Sequence, residues 1–248
     1  MSQYRANQRN SGIIVPYERL PFTFANYSVA CERHPQRNED SITVEKRSGM
    51  AAVFDGVGGS AAGEIASQTA ARATLLGWKR AFYQRHSGFK GRMFLEQCSK
   101  VDLCKLLPQI LLEADEQVRN EGAQQAGTDD LATTVALAAF CQTSEPNGYN
   151  MVYAHVGDSR VYLLRQQEPL KRLTTDDGLL GRLVENQMVN DEDARRIDQA
   201  MHAEQLSDAE FSYFRLRGGI TQALGGPVPP TIHTDEIAIF PGDRILLC

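Results

Sequence analysis

Three acidic clusters are the residues of this chain best suited to carry chemistry. They lie at residues 37–41 (RNEDS), 54–59 (FDGVGG) and 129–134 (DDLATT). Hard divalent cations such as Mg²⁺ and Mn²⁺ prefer oxygen ligands, and carboxylates on rigid strand ends can hold them. Each cluster taken alone is more typical of a turn, because Asp and Gly are turn formers. The clusters are therefore candidates for a divalent-metal site, and the turn interpretation stays open at this point.

Gly56 follows Asp55 directly and adds two chemical options. Without a side chain, a glycine lets its backbone carbonyl approach a metal as an additional ligand. The run from Gly56 to Ala61 also fits the G-x-G-x-x-A pattern of dinucleotide-binding loops. That pattern needs an acidic residue about 20 positions further on for the ribose, and no Asp or Glu lies between Glu64 and Glu96. The nucleotide interpretation is therefore disfavoured.

Composition limits the classes of function. The 248 residues carry 26 Lys+Arg and 31 Asp+Glu, and this net charge of -5 argues against a dominant nucleic-acid or anionic-membrane surface. No apolar run approaches the ~18 residues of a transmembrane helix, and the polar N-terminus does not resemble a signal peptide. The five scattered cysteines disfavour a zinc site and a disulfide framework. We therefore expect a cytoplasmic protein.

The elements that must position the acidic clusters follow from the hydrophobic periodicity. Residues 1–24 are polar and are expected to be flexible. Helical spacing predicts helices over about 61–85 and 102–121, the second kinked or shortened by Pro108. Strands are predicted at 27–31, 42–45, 50–54, 132–140, 151–156, 160–164, 232–240 and 244–248. Two consecutive helices between groups of strands favour an antiparallel α+β architecture over a βαβ series.

Two connecting segments complete this outline. The tight Gly157-Asp158-Ser159 connection predicts a hairpin between the strands at 151–156 and 160–164, and the Asp158 and Ser159 side chains are expected to hold the turn. Residues 177–216 are acidic, with interrupted helical periodicity, and are expected to leave the sheet as an excursion. Since neither a repeat nor a low-complexity linker divides the chain, we expect one domain over residues 25–248.

Taken in order, a series of segments resembles the metal-dependent protein serine/threonine phosphatases of the protein phosphatase 2C type, in their bacterial form. The segments are NEDS at 38–41, VFDGVGG at 53–59, DLATTV at 130–135, HVGDSRVY at 155–162, LTTDD at 173–177, ITQALG at 220–225 and GDRILLC at 242–248. The resemblance implies an α+β fold in four layers, a sandwich of two antiparallel β-sheets flanked by antiparallel helix pairs. It also implies that the 177–216 excursion is the variable flap beside the active site.

The resemblance further implies roles for the acidic residues. Asp55 is expected to bridge two Mn²⁺ or Mg²⁺ ions, and the Gly56 carbonyl to complete the shell of one of them. Asp40, together with Glu39, is expected to hold metal-bound waters. Asp130 matches the aspartate that family members use for a third metal. We therefore expect two or three ions in the domain.

The groups that would handle the phosphate depart from the family pattern. The family's usual phosphate-binding arginine would stand at Pro35, with Arg33 and Arg37 on either side, and the sequence does not distinguish which of the two takes its role. Val57 occupies the place of a histidine that many eukaryotic members have and bacterial members commonly lack. Protonation of the leaving group is therefore expected to fall to water rather than to His34.

The implied function is hydrolysis of phosphoserine and phosphothreonine on proteins that are targets of a serine/threonine kinase. A water activated between two metals would attack phosphorus, and the protein is expected to be a monomer. The family follows the strand at 244–248 with two further metal-binding aspartates, so we expect residues 1–248 alone to be C-terminally incomplete and to bind Mn²⁺ weakly. The alternative is a catalytically weak or inactive module that binds phosphoproteins or regulatory partners.

Overall fold

The computed structural model describes residues 21–30, 32, 35–57, 61–85, 99–124, 131–145, 148–200, 202–216 and 218–248. The described strands are β1 (Asp40–Glu45), β2 (Met50–Val57), β3 (Ala132–Thr133), β4 (Val135–Gln142), β5 (Tyr149–Val156), β6 (Val161–Leu164), β7 (Lys171–Arg172), β8 (His233–Ile239) and β9 (Arg244–Leu247). The α-helices are α1 (Ala61–Arg85), α2 (Lys100–Gln124), α3 (Leu179–Glu185), α4 (Asp191–Gln199) and α5 (Asp208–Phe214), with a 3₁₀ turn at Ala203–Gln205. None of these helices is long and apolar enough to cross a membrane.

Two antiparallel sheets form the framework. The larger has the order β1-β2-β4-β5-β8, with β3 paired to the end of β2, and the smaller has the order β7-β6-β9. The antiparallel neighbours of β2 exclude the parallel sheet that a dinucleotide-binding loop would require. Nearly all of β4 is buried, because α1 and α2 cover one face of its sheet and the smaller sheet lies toward the other. The predicted α+β sandwich is confirmed.

The hairpin predicted at Gly157-Asp158-Ser159 is wrong. β5 pairs with β4 and β8 in the larger sheet, whereas β6 pairs with β7 and β9 in the smaller one. The turn therefore carries the chain from one sheet to the other. Gly157 has φ +88, a conformation that glycine adopts without the usual steric cost. The predicted tight turn is therefore present, but the strands on its two sides do not pair with each other.

Helices α1 and α2 pack against each other and against the larger sheet. The predicted apolar stripe of α2 is buried, with Leu103, Leu107 and Leu111 fully enclosed. The helix starts at Lys100, before the predicted start, and continues through Pro108. Because this stripe packs so completely, its burial outweighs the backbone hydrogen bond that Pro108 cannot donate.

The strand predicted at residues 27–31 is wrong over residues 27–30, which carry no strand. Tyr27 and Val29 are 84% and 64% exposed, so their apolar character does not mark a buried strand. The chain before them packs by its aromatic side chains, since the Phe22 ring stacks on Phe140 with 4.4 Å between centroids. A short apolar run is thus not enough to predict pairing.

The 177–216 region leaves the smaller sheet as expected and forms α3, α4 and α5. These helices surround a small hydrophobic cluster of their own, built on Leu180, Val189 and Ile197. Both ends of the excursion meet, because the Leu179 amide donates to the Gly219 carbonyl at 2.8 Å and Gly178 bridges to Ile220. We refer to residues 178–220 as the excursion from here on.

Candidate metal centre

Asp40 and Asp55 stand opposite each other at one end of the larger sheet. They are cross-strand partners in the β1–β2 ladder, and directly opposed residues of an antiparallel pair share a face with Cβ atoms ~5 Å apart. On the same face, β2 continues with Val53 and Ala51. These residues line a cleft of about 990 Å³ between the sheets, which reaches both carboxylates. The acidic pair therefore lies at the mouth of an apolar cleft.

Both carboxyl groups have raised pKa values. Partial burial, followed by the negative charges of Asp40, Asp158 and Glu39, raises the pKa of Asp55 to about 6. Burial and the charge of Glu39 also raise the pKa of Asp40 above its usual range. Desolvation and like charges both disfavour the ionised form of a carboxyl group. A bound cation would relieve this repulsion, so the electrostatics suit a divalent metal.

The backbone of Asp55 is fixed by Thr133, the last residue of β3, and by Thr134, which follows it. The Thr133 hydroxyl and the Thr134 amide each donate to the Asp55 carbonyl at 2.9 Å. The Thr134 and Ser159 hydroxyls lie 2.6 Å apart, so the same corner is tied to the turn between the sheets. These bonds hold the DLATT segment in place beside Asp55 and Gly56.

Gly56 is required by close backbone packing. Its amide donates to the Glu39 carbonyl at 3.1 Å, and an added Cβ would come within 2.1 Å of the Gly63 carbonyl oxygen and 2.7 Å of the Glu39 carbonyl oxygen. The first turn of α1 thus rests on the end of β2. Neither the carbonyl-ligand role nor the dinucleotide-loop pattern predicted this packing role of Gly56, and the metal role of its carbonyl stays a prediction.

The sequence analysis missed the residues of α1 that hold this corner. Gly63 contacts Gly56, and the buried Ser67 hydroxyl lies 3.0 Å from the Ser41 hydroxyl. Ser67 also donates to the Glu64 carbonyl at 3.2 Å. The signal was present as small residues at helical spacing over 62–70, where Ala62, Ala66 and Ala70 are buried too. Small side chains allow the helix to approach the sheet closely.

The remaining candidates divide between described and undescribed parts of the chain. Nη2 of Arg37 lies 3.3 Å from Oε1 of Glu39, which brings the candidate phosphate-binding group to the acidic side of the centre. Arg33, His34 and Asp130 lie outside the described residues. Their predicted roles stay predictions.

Asp158 influences the acidic centre, which its predicted role in the turn did not imply. Its charge is one of the causes that raise the pKa of Asp55. Its own pKa is raised by burial and by the charge of Asp176. The sequence assigned Asp158 to the turn alone, because the placement of that turn beside β2 depends on the contacts between the two sheets.

The donors present fit a hard divalent cation, although incompletely. Asp40, Asp55 and Glu39 offer oxygen ligands of the type that Mg²⁺ and Mn²⁺ prefer. Within the described ranges, no three His, Cys, Asp or Glu side chains converge closely enough to enclose an ion by themselves. The described part of the chain thus supplies a partial ligand set, in which water or further residues would complete the coordination.

Comparisons with known proteins agree with this geometry. The family model described as protein phosphatase 2C matches residues 27–178. The serine/threonine protein phosphatase PstP of Mycobacterium tuberculosis is 29% identical over 212 residues, which are 85% of this chain and 32% of PstP. The chain therefore spans about a third of the length of this curated relative.

Two solved structures of PstP extend the comparison. The Mycobacterium tuberculosis PstP structure has a TM-score of 0.57 and 25% identity, covering 90% of this chain and 74% of that one. A structure of the PstP catalytic domain in complex with two manganese ions has a TM-score of 0.52 and 26% identity, covering 85% and 70%. Together with the family model, which spans more than half of the residues, these likenesses show that the chain belongs to the protein phosphatase 2C family.

Proposed function

We propose that this domain is a metal-dependent phosphatase that hydrolyses phosphoserine and phosphothreonine on proteins. The observation that carries the proposal is the cross-strand pairing of Asp40 with Asp55 at the mouth of the cleft. Support also comes from the family membership and from the manganese ions in the PstP structure. We infer that two Mn²⁺ or Mg²⁺ ions bind here and that Asp130 serves a third.

Each candidate residue would have a separate role in binding the metals and the phosphate. Asp55 would hold both ions, Asp40 and Glu39 would orient water beside them, and the Arg37 guanidinium would bind phosphate oxygens through its planar N–H donors. When bound, the metal pair supplies Lewis acidity and lowers the pKa of a coordinated water.

Hydrolysis assays on Asp55→Asn test the proposal. With Mn²⁺ present, we expect the variant to hydrolyse p-nitrophenyl phosphate and a phosphothreonine peptide about 100-fold more slowly or worse, since it loses the central negative charge. Circular dichroism should show an intact fold. Glu116→Gln, a matched neutralisation at an exposed position of α2, should keep the wild-type rate. A chelator-treated protein that retains full activity would refute the metal dependence.

The finer assignments are part of the same proposal. We infer that the substrates are targets of a serine/threonine kinase, that the protein acts in the cytoplasm, and that it is a monomer with one domain over residues 25–248. We also infer that residues 177–216 are the flap beside the active site. Analytical ultracentrifugation and a phosphoproteomic comparison of strains with and without the gene would check the oligomeric state and the substrates.

A catalytically weak module that binds phosphoproteins is the second candidate. The partial ligand set of the described residues favours it. The protein should then bind a phosphothreonine peptide in the presence of Mn²⁺ but hydrolyse it slowly, at a rate that Asp55→Asn changes little. A wild-type rate that falls about 100-fold or more in Asp55→Asn would reject this candidate.

A further inference from the structure

Asp177 contacts several segments that are distant in sequence and stands where the excursion begins. Its side chain is only 9% exposed. Oδ2 accepts a hydrogen bond from the Gly157 amide at 2.9 Å, and the Asp177 amide donates to the Gly157 carbonyl at 3.0 Å. These reciprocal bonds hold Asp177 against the turn between the two sheets.

The other contacts of Asp177 reach the far end of the excursion. Its carbonyl accepts from the Thr221 amide at 2.7 Å and from the Thr221 hydroxyl at 3.0 Å. Oδ1 lies 3.0 Å from Nε2 of Gln222 and 2.8 Å from Nε2 of His233 on β8. One residue therefore contacts the turn, the return of the excursion and the edge of the larger sheet.

The turn that Asp177 holds also carries Asp158. A Cβ on Gly157 would lie 2.6 Å from the Thr134 side chain, so the turn fits tightly against the Thr134 corner. Ser159 is fixed there by its hydroxyl contact with Thr134. Asp158 stands between these two anchored residues, and its charge reaches Asp55. The position of Asp158 thus depends on how the turn is held.

We propose that Asp177 is a positioning residue that ties the base of the excursion to the turn of residues 157–159 and so sets where Asp158 stands beside Asp55. Its meaning for catalysis rests on the proposed function, but the coupling itself is a property of the metal-free fold. Movement of the excursion would pass to the acidic centre through the bonds of Asp177, in parallel with the longer ion pair of 3.9 Å between Asp198 of α4 and Arg160 beside the turn. A substrate protein that displaces the excursion would thereby alter the electrostatics at the centre.

The chemistry of the site explains why a carboxylate is suited to this position. An ionised Asp has about four acceptor sites and no donor, which matches the N–H groups of Gly157, Gln222 and His233. An asparagine would place its own N–H₂ against at least one of these donors. The Gln222 amide cannot rotate freely to compensate, because its Oε1 accepts from the Thr231 amide at 2.7 Å.

Hydrogen–deuterium exchange on the full chain without metal tests the coupling directly. In Asp177→Ala we expect amide exchange to accelerate about tenfold both in peptides covering 157–159 and in peptides covering 219–222, since local opening governs exchange. Asp177→Asn, which keeps one acceptor for Gly157, should accelerate 219–222 and largely protect 157–159. Glu185→Ala, the same loss of charge at an exposed position of α3, should change neither region.

Two outcomes would overturn the proposal. The first is faster exchange in Asp177→Ala confined to residues 219–222, with 157–159 unchanged, because the residue would then hold only the excursion. The second is wild-type exchange in both regions of Asp177→Asn. The Asn variant keeps the test valid if the Ala variant does not fold. Neither measurement requires metal or turnover, so this proposal can fail while the proposed function stands.

A Mn²⁺ titration by calorimetry adds a functional readout. If Asp177 sets the place of Asp158, Asp177→Ala should weaken Mn²⁺ binding about three- to tenfold, because a displaced carboxylate contributes less potential at Asp55. With p-nitrophenyl phosphate and with a phosphopeptide, kcat should fall by a similar factor, whereas the KM of the peptide should change more than that of the small substrate. Unchanged Mn²⁺ affinity would reject the link to the centre.

Discussion

The acidic end of the larger sheet and the excursion are built by different forces. Asp40 and Asp55 belong to a six-residue ladder between β1 and β2, and the opposite face of β2 places Phe54 in the main core. In contrast, the buried apolar residues in the described part of the excursion are Leu180, Val189 and Ile197. Further support comes from partly buried apolar neighbours such as Leu183 and from polar contacts such as that between Arg196 and Glu210.

This difference indicates two cooperative units of unequal stability. Elements with many buried apolar contacts open only with global unfolding, whereas regions with few such contacts open locally at lower cost. The candidate metal ligands lie on the stable unit, where a precise geometry can be kept. The excursion is connected to them through its base at Asp177 and through the ion pairs of Asp198 with Arg160 and Arg172.

Gly56→Ala should have the largest effect and would act on the stable unit. Its Cβ would collide with backbone atoms of both Gly63 and Glu39, and backbone cannot rotate away as a side chain can. We expect the free energy of unfolding to fall by more than about 3 kcal/mol, measured by urea unfolding of the metal-free protein. A variant with wild-type stability would show that α1 does not rest on β2 as described.

Ile197→Ala should have the next largest effect, but only within the excursion. Ile197 is fully buried in the small cluster, and its truncation should cost about 2 kcal/mol of local stability. Limited proteolysis should then cut residues 178–220 faster, while the urea midpoint followed by Trp78 fluorescence stays within error of wild type. An equal fall in both signals would mean that the two units unfold together.

The sequence predicted the elements of the stable unit well, because periodicity reports burial. The strands of the larger sheet and both long helices appear close to the predicted bounds. It failed where a partner at long range decides the structure. The turn at Gly157 indicated a hairpin, yet the pairing of β6 with β9 takes the strand into the other sheet. Turn chemistry specifies a turn but not the strands that pair beyond it.

The site could be predicted only in part, for the same reason. Metal chemistry and family resemblance singled out Asp40 and Asp55, but their direct opposition depends on the register of β1 and β2, which composition does not encode. No separate role was predicted for Asp177 within the LTTDD segment, because its side chain contacts residues that lie 20 to 56 positions away in sequence. Its function arises from the meeting of three distant segments.

The pH dependence of the metal-free protein offers a third test of the stable unit. Asp55 has a pKa of about 6, above its ordinary 3.8, so the folded state binds the proton more tightly. Its stabilising contribution is complete below pH 3.8 and is lost as the pH rises through 6. Asp55 is exposed as a residue although its carboxyl group is partly desolvated, so screening by solvent limits the effect to about 1 kcal/mol.

Urea unfolding of wild type and Asp55→Asn at pH 4.5 and pH 7 would measure this contribution. The variant cannot ionise at this position, so its stability relative to wild type should rise between the two pH values by about 1 kcal/mol. Taking the difference removes the titration of the other carboxyl groups. The same stability difference at both pH values would mean that the negative charges near Asp55 do not repel it.

Gly181→Ala should give the smallest effect and the opposite sign to Gly56→Ala. Gly181 lies within α3, and an added Cβ would meet only the Asp176 carbonyl oxygen at 3.7 Å, an ordinary contact. Replacing a helical glycine by alanine should stabilise the excursion by about 0.5–1 kcal/mol. Exchange of the α3 amides should therefore slow several-fold, while the global urea midpoint does not move. If the midpoint rose with the local protection, the excursion and the sheets would form one cooperative unit, and the distinction between the two regions would fail.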